Sequence, residues 1–171
     1  QLVTDIPPGP KRVMALTMLA EMYSNLGDRK GILRVAEGMA RDEYARPHSF
    51  VSIADMCERL NMPEEALLIY EQALGAITEG SSRHGEGRIR AKQAALYLRM
   101  GDPANAIICA ECARASGVAD YQVNETLAKA YEQKGEPQKA AEVYLACITS
   151  PGEHDMTPFV CRQLTDLMSR H

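Results

Sequence analysis

Tryptophan is absent from this chain and phenylalanine occurs only twice, so aromatic residues fill 5% of its 171 positions. A β-sandwich draws its core from aromatic and β-branched residues, and this supply of aromatics is too thin for one. Also missing is any apolar run near the ~18–20 residues that a membrane span requires. No stretch resembles a signal peptide, and the chain opens on Gln1, which reads as an excised piece of a longer parent. Basic charge is not in surplus either. The net charge is −4, so a nucleic-acid partner would need a strongly localised basic face, and none is expected. The five cysteines are an odd number without the framework of a small secreted domain. They point towards a reducing, cytoplasmic compartment, with the periplasm as the alternative if a parent chain supplies a signal or anchor.

What the sequence does have is a repeated turn. Met100-Gly101-Asp102-Pro103-Ala104-Asn105-Ala106 is followed 34 residues later by Lys134-Gly135-Glu136-Pro137-Gln138-Lys139-Ala140. Leu26-Gly27-Asp28 and Leu60-Asn61-Met62-Pro63 occupy the same place earlier in the chain. Seven residues before each turn stands Ala20, Ala54, Ala94 or Ala128, at intervals of 34, 40 and 34. Three residues after each alanine come Tyr23, Cys57, Tyr97 and Tyr131. Beyond the turn the columns continue as Ile32, Ala66, Ala106, Ala140, then Ala36, Tyr70, Ala110, Tyr144.

Each unit has the grammar of a helical hairpin. Leu16, Leu19, Ala20 and Tyr23 recur at i, i+3, i+4 and i+7, which is one face of a helix. Gly27, Gly101 and Gly135 supply the left-handed residue just past a helix end, and Asn61 is the usual second choice. Asp102 and Glu136 then place a carboxylate at the next helix start, ahead of Pro103 and Pro137 in the first turn. The small recurrent alanines allow two helices to approach closely.

These columns resemble the tetratricopeptide repeat, whose period is 34, with a small residue, a tyrosine, a turn glycine and an alanine opening the second helix. The resemblance implies an all-α, right-handed α-solenoid of four hairpins: about 13–46, 47–86, 87–120 and 121–154. Residues 1–12 are then an extended segment holding Pro7-Pro8-Gly9-Pro10, and residues 155–171 carry a capping helix that covers the last exposed apolar face. The six extra residues of the second repeat fall in Glu79–Gly87 and read as a longer loop.

Two constellations invite chemistry. Cys109-Ala-Glu-Cys112 has redox or zinc spacing, but Cys109 shares its column with Val35, Ile69 and Val143, so it reads as a small buried hydrophobe. The pair also lies mid-helix, away from the helix N-terminus that lowers a thiol pKa, and no second ligand pair accompanies it. Arg83, His84, Arg88, Arg90 and Lys92 form a basic cluster beside glycines that could offer backbone amides to an anion. Their spacing matches no phosphate-loop fingerprint, and a solvated helix face is the better reading. No catalytic site, metal site or cofactor is expected.

The resemblance implies that the first helices of successive hairpins line a concave groove for a partner peptide or helix. Carried over by repeat position, that groove takes Thr17 and Glu21 from the first hairpin and His48, Val51, Asp55 and Arg59 from the second. The third gives Arg88, Ala91, Ala95, Leu98 and Arg99, and the fourth Glu125 and Lys129. The branch of the family that grips a terminal carboxylate has Lys and Asn where this chain has Thr17 and Glu21, so that partner is disfavoured. Val51, Ala91, Ala95 and Leu98 form a small apolar strip with Arg88 and Arg99 beside it, which suits an amphipathic helix or a peptide with a few apolar anchors. The function expected is a non-catalytic interaction module within a larger assembly, secretion or envelope scaffold. The alternative is a self-associating, homodimeric scaffold.

Overall fold

A computed structural model describes residues 6–77, 83–149 and 161–165. Eight helices follow one another: α1 (Pro10–Leu26), α2 (Arg29–Ala40), α3 (Pro47–Arg59), α4 (Pro63–Gly75), α5 (Arg83–Arg99), α6 (Pro103–Ala115), α7 (Tyr121–Gln133) and α8 (Pro137–Thr149). Residues 161–165 are also helical, and no strand occurs among the described residues. Consecutive helices pair, α1 with α2, α3 with α4, α5 with α6 and α7 with α8. The chain divides into two compact units, Gln1–Ser81 and Ser82–His171, each holding two hairpins. In the first unit α1 also packs beside α3, with α2 on α3. In the second, α5 packs beside α7, with α6 on α7.

The turns form as their residue types dictate. Gly27, Asn61, Gly101 and Gly135 have φ of 69, 55, 78 and 78°, the left-handed conformation that lets a helix stop within one residue. The amide that follows each of them donates back to the carbonyl of Tyr23, Cys57, Tyr97 or Tyr131, so the tyrosine column also marks where the backbone closes. Asp28, Asp102 and Asp120 then accept from the amides of Gly31, Asn105 and Val123, satisfying first-turn donors of α2, α6 and α7.

The alanine columns lie in the core. Ala20, Ala54, Ala94 and Ala128 are at most 1% exposed. The unit that holds the first two also buries Leu16, Ile32, Val35, Phe50, Ile53 and Tyr70. Around the last two lie Ala106, Ala110, Leu127, Val143 and Tyr144.

Two boundaries differ from the sequence reading. α1 begins at Pro10, so part of the segment expected to be extended over residues 1–12 is already helical. Of the longer loop expected across 79–87, residues 79–82 lie outside the described residues and 83–87 are helical. α4 ends at Gly75, and residues 83–87 are the first turn of α5, which reaches 17 residues where α3, α6 and α7 have 13. The reason is packing. A Cβ on Gly87 would lie 2.7 Å from Val118 Cγ2 and 2.9 Å from Ser116 Cβ, so this glycine serves a close approach to the end of α6. Of the expected capping helix, residues 161–165 are described, and Leu164 packs against the core of the second unit.

Candidate interaction surfaces on the first helices

The first helix of each hairpin presents one face to its own core and turns another outwards. On α1, Glu21 is exposed and Thr17 half-buried, the Thr17 hydroxyl donating to the Val13 carbonyl of its own helix at 3.0 Å. On α3, His48 and Arg59 are exposed, while Val51 and Asp55 are half-buried. On α5, Arg88 and Arg99 are exposed and Ala91, Ala95 and Leu98 half-buried. On α7, Lys129 is exposed and pairs at 2.8 Å with the half-buried Glu125, one turn away. The structure brings the α5 and α7 residues into one unit and the α1 and α3 residues into the other.

Two of these positions are committed to the fold more than their outward placement suggested. Ala91 and Leu98 pack against the core of the second unit, so Leu98 does not face away from its hairpin. Leu98 stands one residue before the end of α5, beside the turn, where the two helices of the hairpin are drawn together. Ala95 is half-buried without belonging to that core, and the exposed Arg88 and Arg99 lie on the same helix.

A tyrosine contact recurs that sequence spacing had not revealed. The Tyr70 hydroxyl, from a fully buried side chain on α4, reaches Asp55 and Glu58 on α3 with both carboxylate oxygens at 2.6 Å. The Tyr144 hydroxyl on α8 donates to Glu132 on α7 at 3.2 Å. Burial first, and then the adjoining carboxylates, push both phenols well above the ordinary tyrosine range. The signal was present, since Tyr70 and Tyr144 share a column and Glu58 and Glu132 another. What the hydroxyl reaches depends on how the hairpin closes. The Tyr70 contact ties part of the acidic outward face of α3 to its hairpin, so Asp55 is a structural ligand as well as a candidate contact.

The Cys-x-x-Cys pair is split between environments. Cys109 is buried among the core residues of the second unit, whereas Cys112 is exposed. Burial, with Glu65 adding to it, pushes the Cys57 thiol up to about 11. Among the described residues no three His, Cys, Asp or Glu side chains converge as metal ligands. The basic cluster lies on helix α5 rather than in a glycine loop, with Arg90 donating to Gln93 at 3.0 Å and Arg83, His84, Arg88 and Lys92 exposed. No helix among the described residues is long and apolar enough to cross a membrane.

Hairpins of this size, each closed by a left-handed turn and packed on the next within its unit, define a helical-repeat protein. The family models agree on which repeat. The tetratricopeptide repeat matches residues 49–83 and again 121–154, so the chain carries tetratricopeptide repeats in both units. No curated protein matches the chain. Among solved structures it is similar to the nearly identical TPR-like repeats of a Podosopora anserina protein described as a kinesin light chain. That likeness has TM-score 0.68 and 19% identity over 94% of this chain and 87% of that one. A single-substitution variant of the same protein gives TM-score 0.64 and 18% identity over 96% and 95%. At such identity the shared property is the fold.

Proposed function

We infer that this chain is a non-catalytic protein-interaction module, and that its partner is a peptide or amphipathic helix lying along the first helices of its hairpins. Tetratricopeptide repeats generally mediate protein–protein contacts. The observation that carries the reading is the outward face of α5. There Ala95, a small half-buried side chain, stands on the same helix as Arg88 and Arg99, both open to solvent. A shallow apolar spot beside arginines suits an apolar anchor next to acidic residues. The anchor supplies affinity, and the arginines supply orientation and a salt-dependent rate of encounter. On α3 the outward charge is mixed, Asp55 and Glu58 with Arg59, so the two units would read different parts of one ligand or different ligands. We place such a module within a larger assembly or secretion scaffold.

The test uses a partner captured from the native host, followed by titration calorimetry. Ala95→Glu fills the spot with a charge and should abolish binding. Arg99→Glu should weaken it by less and reduce its salt dependence, because an exposed ion pair contributes only ~0–1 kcal/mol. Ile108→Glu, on the open side of α6 where the side chain is 59% exposed, should bind normally. The opposite pattern, with Ile108→Glu inactive and Ala95→Glu unaffected, would move the site to the second helices.

A further inference from the structure

Among the described residues, four of the large apolar side chains left open to solvent stand on one helix. Met14, Met18, Met22 and Leu26 stand four residues apart on α1 and are 62, 59, 60 and 76% exposed. That spacing aligns them as a ridge along most of the helix. The repeat columns say what the middle of this ridge receives. Met22 is equivalent to Met56, Leu96 and Ala130, all buried, and the half-buried Leu19 to Ile53, Gln93 and Leu127, all at 0% exposure. The Met14 column stays exposed, as His48, Arg88 and Gln122. For α3 and α7 the cover is a neighbour. α3 has α2 against it and α7 has α6, in each case the second helix of the preceding hairpin in the same unit. Among the described residues no helix fills that place on α1.

The occupant that fits this face is therefore a helix with an apolar stripe, and α1 is itself one. We propose that a second copy of this chain docks here, α1 antiparallel to α1 about a two-fold axis. Pairing centred on Met18 sets Met18 against its own copy and Met14 against Met22. It also brings the exposed Lys11 of each copy within reach of the exposed Glu21 of the other, so the charges close twice. A parallel pairing would instead set lysine against lysine and glutamate against glutamate. An isologous interface needs such self-complementarity. Methionine suits it, because an unbranched, polarisable side chain adapts to a facing copy of itself. A head-to-tail contact would use the last hairpin, but Leu164 already packs against the core of that unit. This inference shares α1 and Glu21 with the groove reading but differs in the occupant, and because the variants below leave α5 and α7 unchanged, loss of the dimer and loss of a partner at Ala95 are read separately.

Sedimentation equilibrium on the full chain tests it. The expected species is a dimer at micromolar concentration that Met18→Glu converts to a monomer with an unchanged helical circular dichroism signal; Met14→Glu should act in the same direction. Lys11→Glu alone should weaken the dimer severalfold, and adding Glu21→Lys should restore it. A wild-type monomer at the highest soluble concentration would overturn the proposal, including one that takes up a helical peptide at Met18 instead. So would a dimer that survives Met18→Glu. A charge swap that fails to restore association would overturn the antiparallel pairing.

Discussion

At the scale of single residues, the repeat column and the hairpin turn together decide what each side chain meets. Tyr23, Cys57 and Tyr131 each face the residue eight positions on, across the turn. In the first hairpin that residue is Gly31, and a Cβ there would overlap the Tyr23 ring. In the second it is Glu65, whose charge adds to burial in raising the Cys57 thiol. In the fourth it is Lys139, whose ammonium lies 5.5 Å from the centre of the Tyr131 ring. One geometry thus carries a steric fit, a repulsion and a cation–π contact. The alanine column is stricter, because its side chains are all but fully buried. Ala94 is 1% exposed, and Ala95, one residue round the helix, is half-buried. Ala94→Leu should cost ~1–3 kcal/mol by overpacking, and Ala95→Leu clearly less. Equal unfolding midpoints for the two variants would show that the helix phase is misassigned.

At the scale of the element, the hairpin is set by a few local devices and then corrected by packing. The left-handed turn residue, the carboxylate cap and the first-turn proline are contiguous in sequence and act within one turn of backbone. They can therefore be read without knowing the fold. Gly101, at φ 78°, should tolerate alanine poorly, at a cost of ~1–2 kcal/mol for a side chain in the left-handed region. Gly101→Asn should cost less, because Asn61 already fills the same place in the second hairpin at φ 55°. Chemical denaturation of the two variants checks the order. Packing overrides local reading at α5. The glycines at 85 and 87 look like loop residues, yet both lie in the helix, because Gly87 is needed where α5 meets the end of α6. Arg12 and Asp42 show the same limit. Their 3.7 Å ion pair, with the Asp42 carboxylate fully buried, joins α1 to the segment between α2 and α3. Nothing in a separation of about 30 residues announces it, since sequence spacing carries a signal only within a few helical turns.

At the scale of the whole molecule, stability should be level near neutral pH and fall on both sides. On the acid side, the Asn105 amide holds the Asp102 carboxyl low, and Lys139 and Lys134 hold Glu136 low. A depressed carboxyl contributes stability that is present above its unfolded value and is lost as pH falls through the lower folded one. On the alkaline side the sign reverses. Burial raises Cys57 to about 11 and Tyr131 to about 12, and raises Tyr70 and Tyr144 as well. These groups stay protonated in the fold while the unfolded chain ionises from its reference values of 9.0 for cysteine and 10.0 for tyrosine. Their contribution is complete below those values and is lost as pH rises towards the folded ones. The melting temperature should hold to about pH 9 and then drop, with Tyr70→Phe showing a shallower decline. An alkaline limb of unchanged slope in that variant would remove the buried phenol as a cause.

The repeat is legible from residue order alone: its 34-residue period, the alanine and tyrosine columns, and the turns at Gly27, Asn61, Gly101 and Gly135. It is so because those signals are short-range backbone preferences and helical periodicities, written within a few residues of where they act. Residue order also arranges the outward positions along the first helices. Which of those positions are spent on the fold depends on packing between helices. Leu98 went to the core, and Asp55 and Glu58 were bound by Tyr70, because contacts between helices depend on how closely two cylinders approach and where a long side chain ends. The α1 ridge belongs to the same class. Met22 reads as an ordinary apolar helix position until the burial of its counterparts Met56 and Ala130, on helices covered by α2 and α6, sets it apart from an α1 with no such cover among the described residues.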